Sequence, residues 1–203
     1  MLYCPEKVVI ASNNRKKITE ITAILEQLNI RAVSQAELNI ICEPEETGTT
    51  FRENARIKAL AVYALCGLPT IADDSGLEVD ALDGQPGVYS ARYGTPDLDD
   101  AGRNALLLEN MAGAFDPARS ARFVSAICLA LGDDSFVESE GSVSGRILHT
   151  PAGAGGFGYD PLFYVESLGM TFAESSAEEK NKISHRAVAL RLFAQQLALL
   201  PKK

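Results

Sequence analysis

The sequence lacks the cysteine patterns that mark disulfide scaffolds and zinc sites. Its four cysteines, Cys4, Cys42, Cys66 and Cys128, include no C-x-x-C pair, and their spacing suits neither zinc nor a disulfide framework. We therefore expect reduced thiols, some of them buried, in a reducing compartment.

Long apolar runs and targeting segments are also missing. No stretch approaches the roughly 20 apolar residues that are needed to span a bilayer. The first residues lead within a few positions into a charged strand, which is not the pattern of a signal peptide. These features predict a cytoplasmic protein without a membrane partner.

Negative charge dominates, and two common hydrolase motifs are absent. The net charge of −8 repels a nucleic-acid polymer at long range, although local cations or a metal can still hold a single nucleotide. The chain has no G-x-S-x-G elbow and no Walker A sequence, which argues against a serine hydrolase and a P-loop NTPase.

What the sequence does contain is typical of a globular protein. Its 203 residues are 46% hydrophobic and 23% charged. A chain of this length can bury roughly 70% of its unfolded surface. We predict a single domain over 1–203, or at most two lobes that share one core.

Helix and strand patterns alternate along the chain. Helices are predicted at about 15–28, 50–66, 97–111 and 184–200, and strands at 7–11, 31–34, 70–72, 121–131, 136–146 and 159–165. Gly132-Asp133-Asp134 predicts a hairpin, and the Gly- and Pro-rich segment 83–96 predicts loops. The residues expected to face the core from the second helix are Phe51, Ala55, Ala59, Val62 and Leu65. This alternation predicts an α/β fold with a mixed sheet.

A basic turn, Ser12-Asn13-Asn14-Arg15-Lys16-Lys17, joins the first predicted strand to the first predicted helix. Free backbone N–H groups and the positive end of the helix dipole favour an anion at such a position. The three cations oppose that dipole, so a phosphate is a good candidate for the compensating charge. A solvated basic turn is the alternative, and the spacing does not decide between the two.

The acidic stretch Ala72-Asp73-Asp74-Ser75-Gly76 follows a predicted buried strand. Its carboxylates are expected at the C-terminal end of that strand, where open α/β sheets place ligands. Adjacent carboxylates repel each other, and Mg²⁺, which prefers oxygen ligands, is a common remedy. One carboxylate would hold the metal while the same or a neighbouring one orients water. The alternative is an Asp-rich turn in which Gly76 supplies a positive φ.

Three other charged positions are weaker candidates. Glu46, in the loop before the second helix, would supply a second metal oxygen, although an exposed acidic loop is the favoured interpretation of that segment alone. Lys58, two turns into the helix, is more typical of a solvated residue than of a phosphate ligand. Lys180 and the pair His185-Arg186, near a helix start, are candidates for binding a phosphate or a purine carbonyl.

The glycine-rich stretch 153–160 matches G-x-G-x-x-G literally, but a turn and a strand are predicted to follow it. The dinucleotide fingerprint requires a helix there and is therefore rejected. The glycines instead allow a close approach of the backbone to a ligand. Phe157 and Tyr159 would stack on a base and Asp160 would read its edge, with a tight loop and core aromatics as the alternative.

Taken together, these segments resemble the inosine triphosphate pyrophosphatase (Ham1-like) family. The matching stretches, which span Lys7 to Leu190 in the family's order, are KVVIASNNRKKITEI, EETGTTFRENARIKA, IADDSGLEVDALDGQPGVYSARY, GAGGFGYDPLF and EEKNKISHRAVAL. The resemblance implies an elongated two-lobed α/β fold around a long mixed sheet with a central substrate cleft, and a homodimer. It also implies Mg²⁺-dependent hydrolysis of ITP, dITP and XTP to the monophosphate and pyrophosphate, which clears deaminated purines from the nucleotide pool.

The resemblance also implies roles for individual residues. Asp74 matches the proton acceptor and a Mg²⁺ ligand, and Glu46 matches a second metal-binding acid. The implied substrate contacts are Ser12, Asn13, Asn14, Arg15, Lys16, Lys17, Ser75, Phe157, Gly158, Tyr159, Asp160, Lys180, His185 and Arg186. Asp73 and Lys58 match motif positions without a defined role. A water positioned by Asp74 would attack the α-phosphorus, and Mg²⁺ and lysines would offset the charge of the leaving pyrophosphate.

One turn departs from the family's pattern, and two other functions stay open. Lys16 stands where the family's basic turn often has a glycine, while Ser12 keeps the hydroxyl and Lys17 keeps the cation. We therefore expect phosphate binding to survive. The alternatives are a house-cleaning pyrophosphatase with a different base preference and a nucleotide-binding module without turnover.

Overall fold

The protein forms a mixed β-sheet with helices. The structure is a computed structural model and describes residues 3–95 and 97–201. The strands in these ranges are β1 (Lys7–Ile10), β2 (Arg31–Ser34), β3 (Thr70–Val79), β4 (Ser120–Gly132), β5 (Ser135–Ile147), β6 (Phe163–Val165) and β7 (Met170–Thr171). The α-helices are α1 (Arg15–Gln27), α2 (Phe51–Cys66), α3 (Asp100–Asn110), α4 (Ala177–Ile183) and α5 (His185–Ala198).

The seven strands lie in one sheet with the order β2-β1-β3-β4-β5-β6-β7. Strand β1 pairs in parallel with both β2 and β3. Strand β6 pairs antiparallel with both β5 and β7. A parallel neighbour requires a crossover, and α1 supplies it between β1 and β2. The predicted α/β class with a mixed sheet is therefore confirmed.

Helix ends lie close to where local capping chemistry predicts them. The Asn14 side chain caps α1, and Thr50 forms a capping box with Glu53 at the start of α2. Gly67 ends α2 with a left-handed φ of 65°. The two-residue turn Asp133-Asp134 joins β4 to its sheet neighbour β5, as the hairpin signal predicts.

Several element boundaries differ from the prediction. Strand β3 continues to Val79 instead of ending at Ala72, because residues beyond the acidic stretch, such as Leu77, are also buried in the sheet. The predicted strand 159–165 is a strand only over Phe163–Val165, and α4 and β7 were not predicted. Within the predicted loop 83–96, residues Gly87–Arg92 form a 3₁₀ helix, and Pro96 lies outside the described residues.

The chain divides into two compact units. The first unit comprises Met1–Asp74, Ser125–Gly141 and Val188–Lys203, and the second comprises Ser75–Val124 and Ser142–Ala187. Each unit contains its own hydrophobic cluster, with Ile21 and Phe193 fully buried in the first and Leu107 and Phe163 in the second. The core in the described ranges is therefore not one shared cluster, and the single domain over 1–203 stays a prediction.

Two expectations from apolar patterning have different outcomes. Phe51, Ala55, Ala59 and Val62 are buried on α2. Leu65 is 62% exposed, because helical geometry places it at the edge of the face that the other four share. None of the helices in the described ranges combines the length and the apolar character that crossing a bilayer requires.

Candidate active site

A carboxylate–ammonium centre forms in the first unit where α2 faces β3. The ammonium Nζ of Lys58 lies 2.6 Å from Asp74 Oδ1 and 2.9 Å from Glu46 Oε1. Lys58 lies on α2 and Asp74 on β3, while Glu46 comes from the loop before α2. The structure thus brings the two acids predicted to bind a metal onto a single lysine.

Asp74 has the environment of a reactive carboxylate. Its Oδ2 atom is buried and has no hydrogen-bond partner among the described residues. Burial raises the pKa of the Asp74 carboxyl above its usual value, while the neighbouring Lys58 opposes that shift. A carboxylate with a raised pKa and an unused buried oxygen is suited to accept a proton or to bind a cation.

Lys58 contacts both candidate acids, which corrects the expectation of a solvated lysine. Its side chain is 17% exposed. Burial lowers the pKa of this ammonium, but the carboxylates of Asp74 and Glu46 outweigh it, so the pKa of Lys58 is raised and the group is charged at neutral pH. The signal that could have found it is its spacing, three residues after Ala55 and four before Val62, which places a lysine beside the buried face of α2.

Asp73 and Lys17 form a second ion pair in the first unit. Lys17 Nζ lies 3.3 Å from Asp73 Oδ1, whose side chain is 1% exposed. The hydroxyl of Ser125, on β4, lies 3.4 Å from the other carboxylate oxygen. The two aspartates therefore form ion pairs with different lysines, Asp73 with Lys17 and Asp74 with Lys58.

Both aspartates lie within β3 rather than at its end, which corrects the sequence-based placement. Strand β1 pairs with β3 only as far as Ile71, so the acidic pair lies just beyond the carboxyl end of β1. Gly76 is part of the strand and is not among the glycines with a positive φ, so the Asp-rich turn is wrong.

The basic turn is ordered by its own side chains. Asn14 Oδ1 accepts hydrogen bonds from the backbone N–H groups of Lys16 and Lys17. Two of the N–H groups that were expected to bind an anion are therefore already hydrogen-bonded. Ser12 Oγ accepts the N–H of Asn14, and Asn13 donates to Glu43 at 2.8 Å. Arg15 and Lys16 are exposed, whereas Lys17 is half-buried and pairs with Asp73.

The loop that carries Glu46 is attached to the start of α2. The N–H of Gly48 donates to Asn54 Oδ1 at 2.8 Å, and Asn54 is fully buried. A Cβ atom on Gly48 would overlap that same oxygen, so the contact requires glycine. The role of Asn54 in holding this loop was not predicted. In the sequence it is distinguished only as an amide on the buried face of a helix.

In the second unit, Asp160 organises the glycine loop, which we define as residues 156–160. The buried Asp160 carboxylate accepts the N–H of Phe157 at 2.9 Å and forms an ion pair with Lys180. The Lys180 ammonium also lies 4.6 Å from the centre of the Phe157 ring, a cation–π contact. Phe157 itself is 36% exposed, which makes it the more accessible of the two aromatic residues of the loop.

Tyr159 is placed differently from the ligand-stacking residue that the sequence suggests. It is 4% exposed, belongs to the hydrophobic cluster of the second unit, and donates its hydroxyl to Ser90 O at 2.9 Å. Burial raises the pKa of this phenol well above its usual value. The alternative of a core aromatic therefore describes Tyr159, while Phe157 keeps the exposed position.

Ser75, His185 and Arg186 also come together in the second unit. Arg186 Nη2 donates to Ser75 Oγ at 3.0 Å, and both His185 and Arg186 are buried. The His185 ring stacks on Phe123 with a centroid separation of 4.9 Å. The other histidine, His149, forms an exposed pair with Asp116.

The loop glycines make a testable pair. Gly156 and Gly158 have left-handed φ values of 74° and 60°. A Cβ on Gly156 would overlap the Asp160 carboxylate, whereas one on Gly158 would meet nothing within 4 Å.

We expect Gly158→Ala to lower the free energy of unfolding by about 1 kcal/mol from backbone strain alone. Gly156→Ala should cost at least about 2 kcal/mol, because it also breaks the Asp160 contacts. Urea unfolding of both variants measures the difference, and equal costs would contradict it.

The protein has an α/β fold, with a carboxylate–lysine centre in the first unit and an aromatic glycine loop in the second. The chain belongs to the Ham1 family, whose family model matches residues 8–196. It is 48% identical to a dITP/XTP pyrophosphatase of an Exiguobacterium species over 94% of this chain and 96% of that protein. It is 50% identical to a dITP/XTP pyrophosphatase of Thermus thermophilus over 93% and 90% of the two chains.

Solved structures of the same family agree with the fold. A HAM1 protein from Coxiella burnetii superposes with a TM-score of 0.89 at 42% identity, covering 95% of this chain and 98% of that one. The Staphylococcus aureus Ham1 protein gives a TM-score of 0.87 at 41% identity with the same coverages. The resemblance found in the sequence motifs is thus confirmed.

Proposed function

We propose that this chain is a pyrophosphatase that converts ITP, dITP and XTP to the monophosphate and pyrophosphate, and so removes deaminated purines from the nucleotide pool. Relatives named dITP/XTP pyrophosphatase, at 48% and 50% identity over more than nine-tenths of this chain, support the substrate class. The observation that carries the chemistry is Asp74, a buried carboxylate with one oxygen on Lys58 and the other without a hydrogen-bond partner in the described ranges.

Asp74 is the proposed catalytic residue. Its raised pKa makes it a better proton acceptor than an exposed aspartate, and its unused Oδ2 is the atom that would take the proton of the attacking water. Lys58 holds Oδ1 and so fixes the orientation of the carboxyl group. Attack at the α-phosphorus then releases pyrophosphate.

The first unit also fits a Mg²⁺ ion. The Asp74 and Glu46 carboxylates supply oxygen donors for the ion. Among the described residues, no group of three or more metal-binding side chains is found. Mg²⁺ commonly binds through one or two carboxylates, waters and substrate phosphates, so two acids suffice. When bound, Mg²⁺ would neutralise charge on the triphosphate and on the departing pyrophosphate.

The basic turn is the proposed triphosphate-binding segment. Ser12, Asn13 and Asn14 shape it, and Arg15, Lys16 and Lys17 supply charge, with Lys17 oriented by Asp73. Because Asn14 already occupies two backbone N–H groups, we assign the phosphate contacts mainly to the side-chain cations.

Residues of the second unit are the proposed base-binding set. Phe157 offers a partly exposed ring for stacking, Asp160 accepts its backbone N–H, and Gly158 and Tyr159 lie between them in the loop. Ser75, Lys180, His185 and Arg186 supply donors for the 6-oxo group that hypoxanthine and xanthine have and adenine lacks. Guanine shares this oxo group, so rejection of GTP must depend on its 2-amino group.

We further propose a homodimer that acts in the cytoplasm on free nucleotides. The family resemblance supports the dimer. Four cysteines that form no disulfide support a reducing compartment. The net charge of −8 disfavours nucleic-acid polymers.

Pyrophosphate release from ITP, dITP and XTP, with GTP and ATP as controls, tests the function. We expect kcat/KM for the three deaminated substrates to exceed that for GTP and ATP by at least about a hundredfold. Activity should disappear with EDTA and return with Mg²⁺. Preference for a standard or pyrimidine triphosphate would favour the alternative enzyme, and tight binding without pyrophosphate would favour a binding module.

A further inference from the structure

We propose that Asp100 and Asn104, both on α3, are positioning residues that clamp the glycine loop in its base-binding conformation. The N–H of Gly158 donates to Asp100 Oδ2 at 2.7 Å. The carbonyl oxygen of the same residue accepts from Asn104 Nδ2 at 3.0 Å. One helix face therefore holds both polar groups of a single loop residue. The expected effect on affinity for a purine nucleotide rests on the proposed function.

The spacing of the clamp follows from helix geometry. Residues four apart lie one above the other on a helix, so a carboxylate at 100 and an amide at 104 point the same way. Asp100 lies in the first turn, after the cap Asp99, where the helix dipole favours a negative charge. Arg103 Nη2 lies 2.7 Å from Asp100 Oδ1 and fixes the other side of the carboxylate.

The loop needs such a clamp because glycines surround its aromatic residue. Gly156 and Gly158 flank Phe157 with left-handed φ values of 74° and 60°. Glycine loses more conformational freedom on folding than any other residue. Without anchoring contacts, the loop would therefore populate its base-binding conformation only a small fraction of the time. Asp160 anchors the N-terminal side of this loop through Phe157 N–H, and the α3 clamp anchors Gly158. A ligand that stacks on Phe157 then meets a preformed surface.

Asn104 is poorly explained by stability alone. It is 6% exposed, and its Oδ1 atom is buried without a hydrogen-bond partner in the part of the chain that the structure describes. A buried acceptor without a partner lowers stability, and leucine, which is of similar size, has no such acceptor. We therefore expect the fold to tolerate leucine at this position. The amide uses its donor on the loop instead, which points to a role in holding Gly158.

The test compares Asn104→Leu and Asp100→Ala with a matched control, Asn110→Leu. Asn110 ends the same helix, but its amide donates to the Tyr93 hydroxyl. We expect both clamp variants to raise KM for ITP about tenfold with kcat within about twofold, since one hydrogen bond to the loop is lost in each. The inhibition constant of inorganic tripolyphosphate, which has no base, should not change. The control should match the parent enzyme in all three values.

Hydrogen exchange of the nucleotide-free protein supplies an independent readout. The Gly158 amide should exchange at least about tenfold faster in Asp100→Ala and Asn104→Leu than in the parent. Unchanged KM and unchanged exchange in both variants would overturn the clamp. If the parent itself released no pyrophosphate from ITP, dITP or XTP, the proposed function would fall, and exchange at Gly158 alone would decide the clamp.

Discussion

Asp74→Asn is expected to lower kcat for ITP hydrolysis by about a thousandfold, the range that loss of a general base produces. The amide cannot accept a proton from water, yet it keeps the size of the side chain and an oxygen for Lys58. Because burial raises the pKa of the Asp74 carboxyl, the charged form is unfavourable in this environment. The variant should still fold, because Lys58 keeps the Glu46 carboxylate and the amide oxygen as partners.

Steady-state pyrophosphate release and thermal unfolding, measured on the same preparations, check this expectation. Asp134→Asn is the matched control, because Asp134 is exposed in the turn between β4 and β5. It makes the same chemical change away from the centre and should leave kcat unaltered. Near-normal ITP hydrolysis by Asp74→Asn would remove that residue from the catalytic role.

The parts of the fold that could be predicted from sequence are those with local causes. Asn14, Thr50 and Gly67 set helix ends through side chains or φ angles within four residues of the end they cap. Strand β3 is the counter-example, because Asp73-Asp74-Ser75-Gly76 has turn-type composition. Its neighbours in the sheet keep it extended to Val79, which is tertiary context overriding local preference.

The candidate site shows the same division. Asp74 could be proposed from its own segment, whereas Glu46 was favoured as a metal ligand only through the family resemblance. The contacts of Lys58 and Asn104 could not be predicted, since their partners lie 16 and 54 residues away in the chain. Tyr159 shows the reverse error, because its place beside Phe157 suggests a ligand contact while its side chain is buried. Distant pairing, not residue type, decides these roles.

Lys58→Met is expected to have the second-largest effect, a fall in kcat/KM for ITP of about a hundredfold at neutral pH. The ammonium is the cation in contact with both Glu46 and Asp74, and methionine keeps most of its length without its charge. Removing one partner of a largely buried ion pair leaves the other charge uncompensated. Since Lys58 is 17% exposed, solvent screens part of the loss, and we expect about 2 kcal/mol of destabilisation at neutral pH.

The pH dependence separates this explanation from a simple loss of packing. Burial raises the pKa of Asp74, and Lys58 lowers it, so the Lys58→Met variant should raise that pKa further. Asp74 accepts a proton only when ionised. The acidic limb of the kcat/KM profile should therefore lie above the ordinary carboxyl value of 3.8 in the parent and move to higher pH in the variant.

The free energy of unfolding should also depend on pH through the raised pKa of Asp74. A carboxyl whose pKa is raised by folding stabilises the folded state below its unfolded pKa, and that contribution is lost as pH rises through the folded pKa. The loss is larger without Lys58, so the Tm difference between parent and Lys58→Met should widen from about pH 4 to about pH 7. Lys182→Met, which removes an exposed lysine paired with Glu178, is the control and should show a small difference that does not widen. A constant difference for Lys58→Met, with no shift of the acidic limb, would mean that Lys58 does not control the ionisation of Asp74.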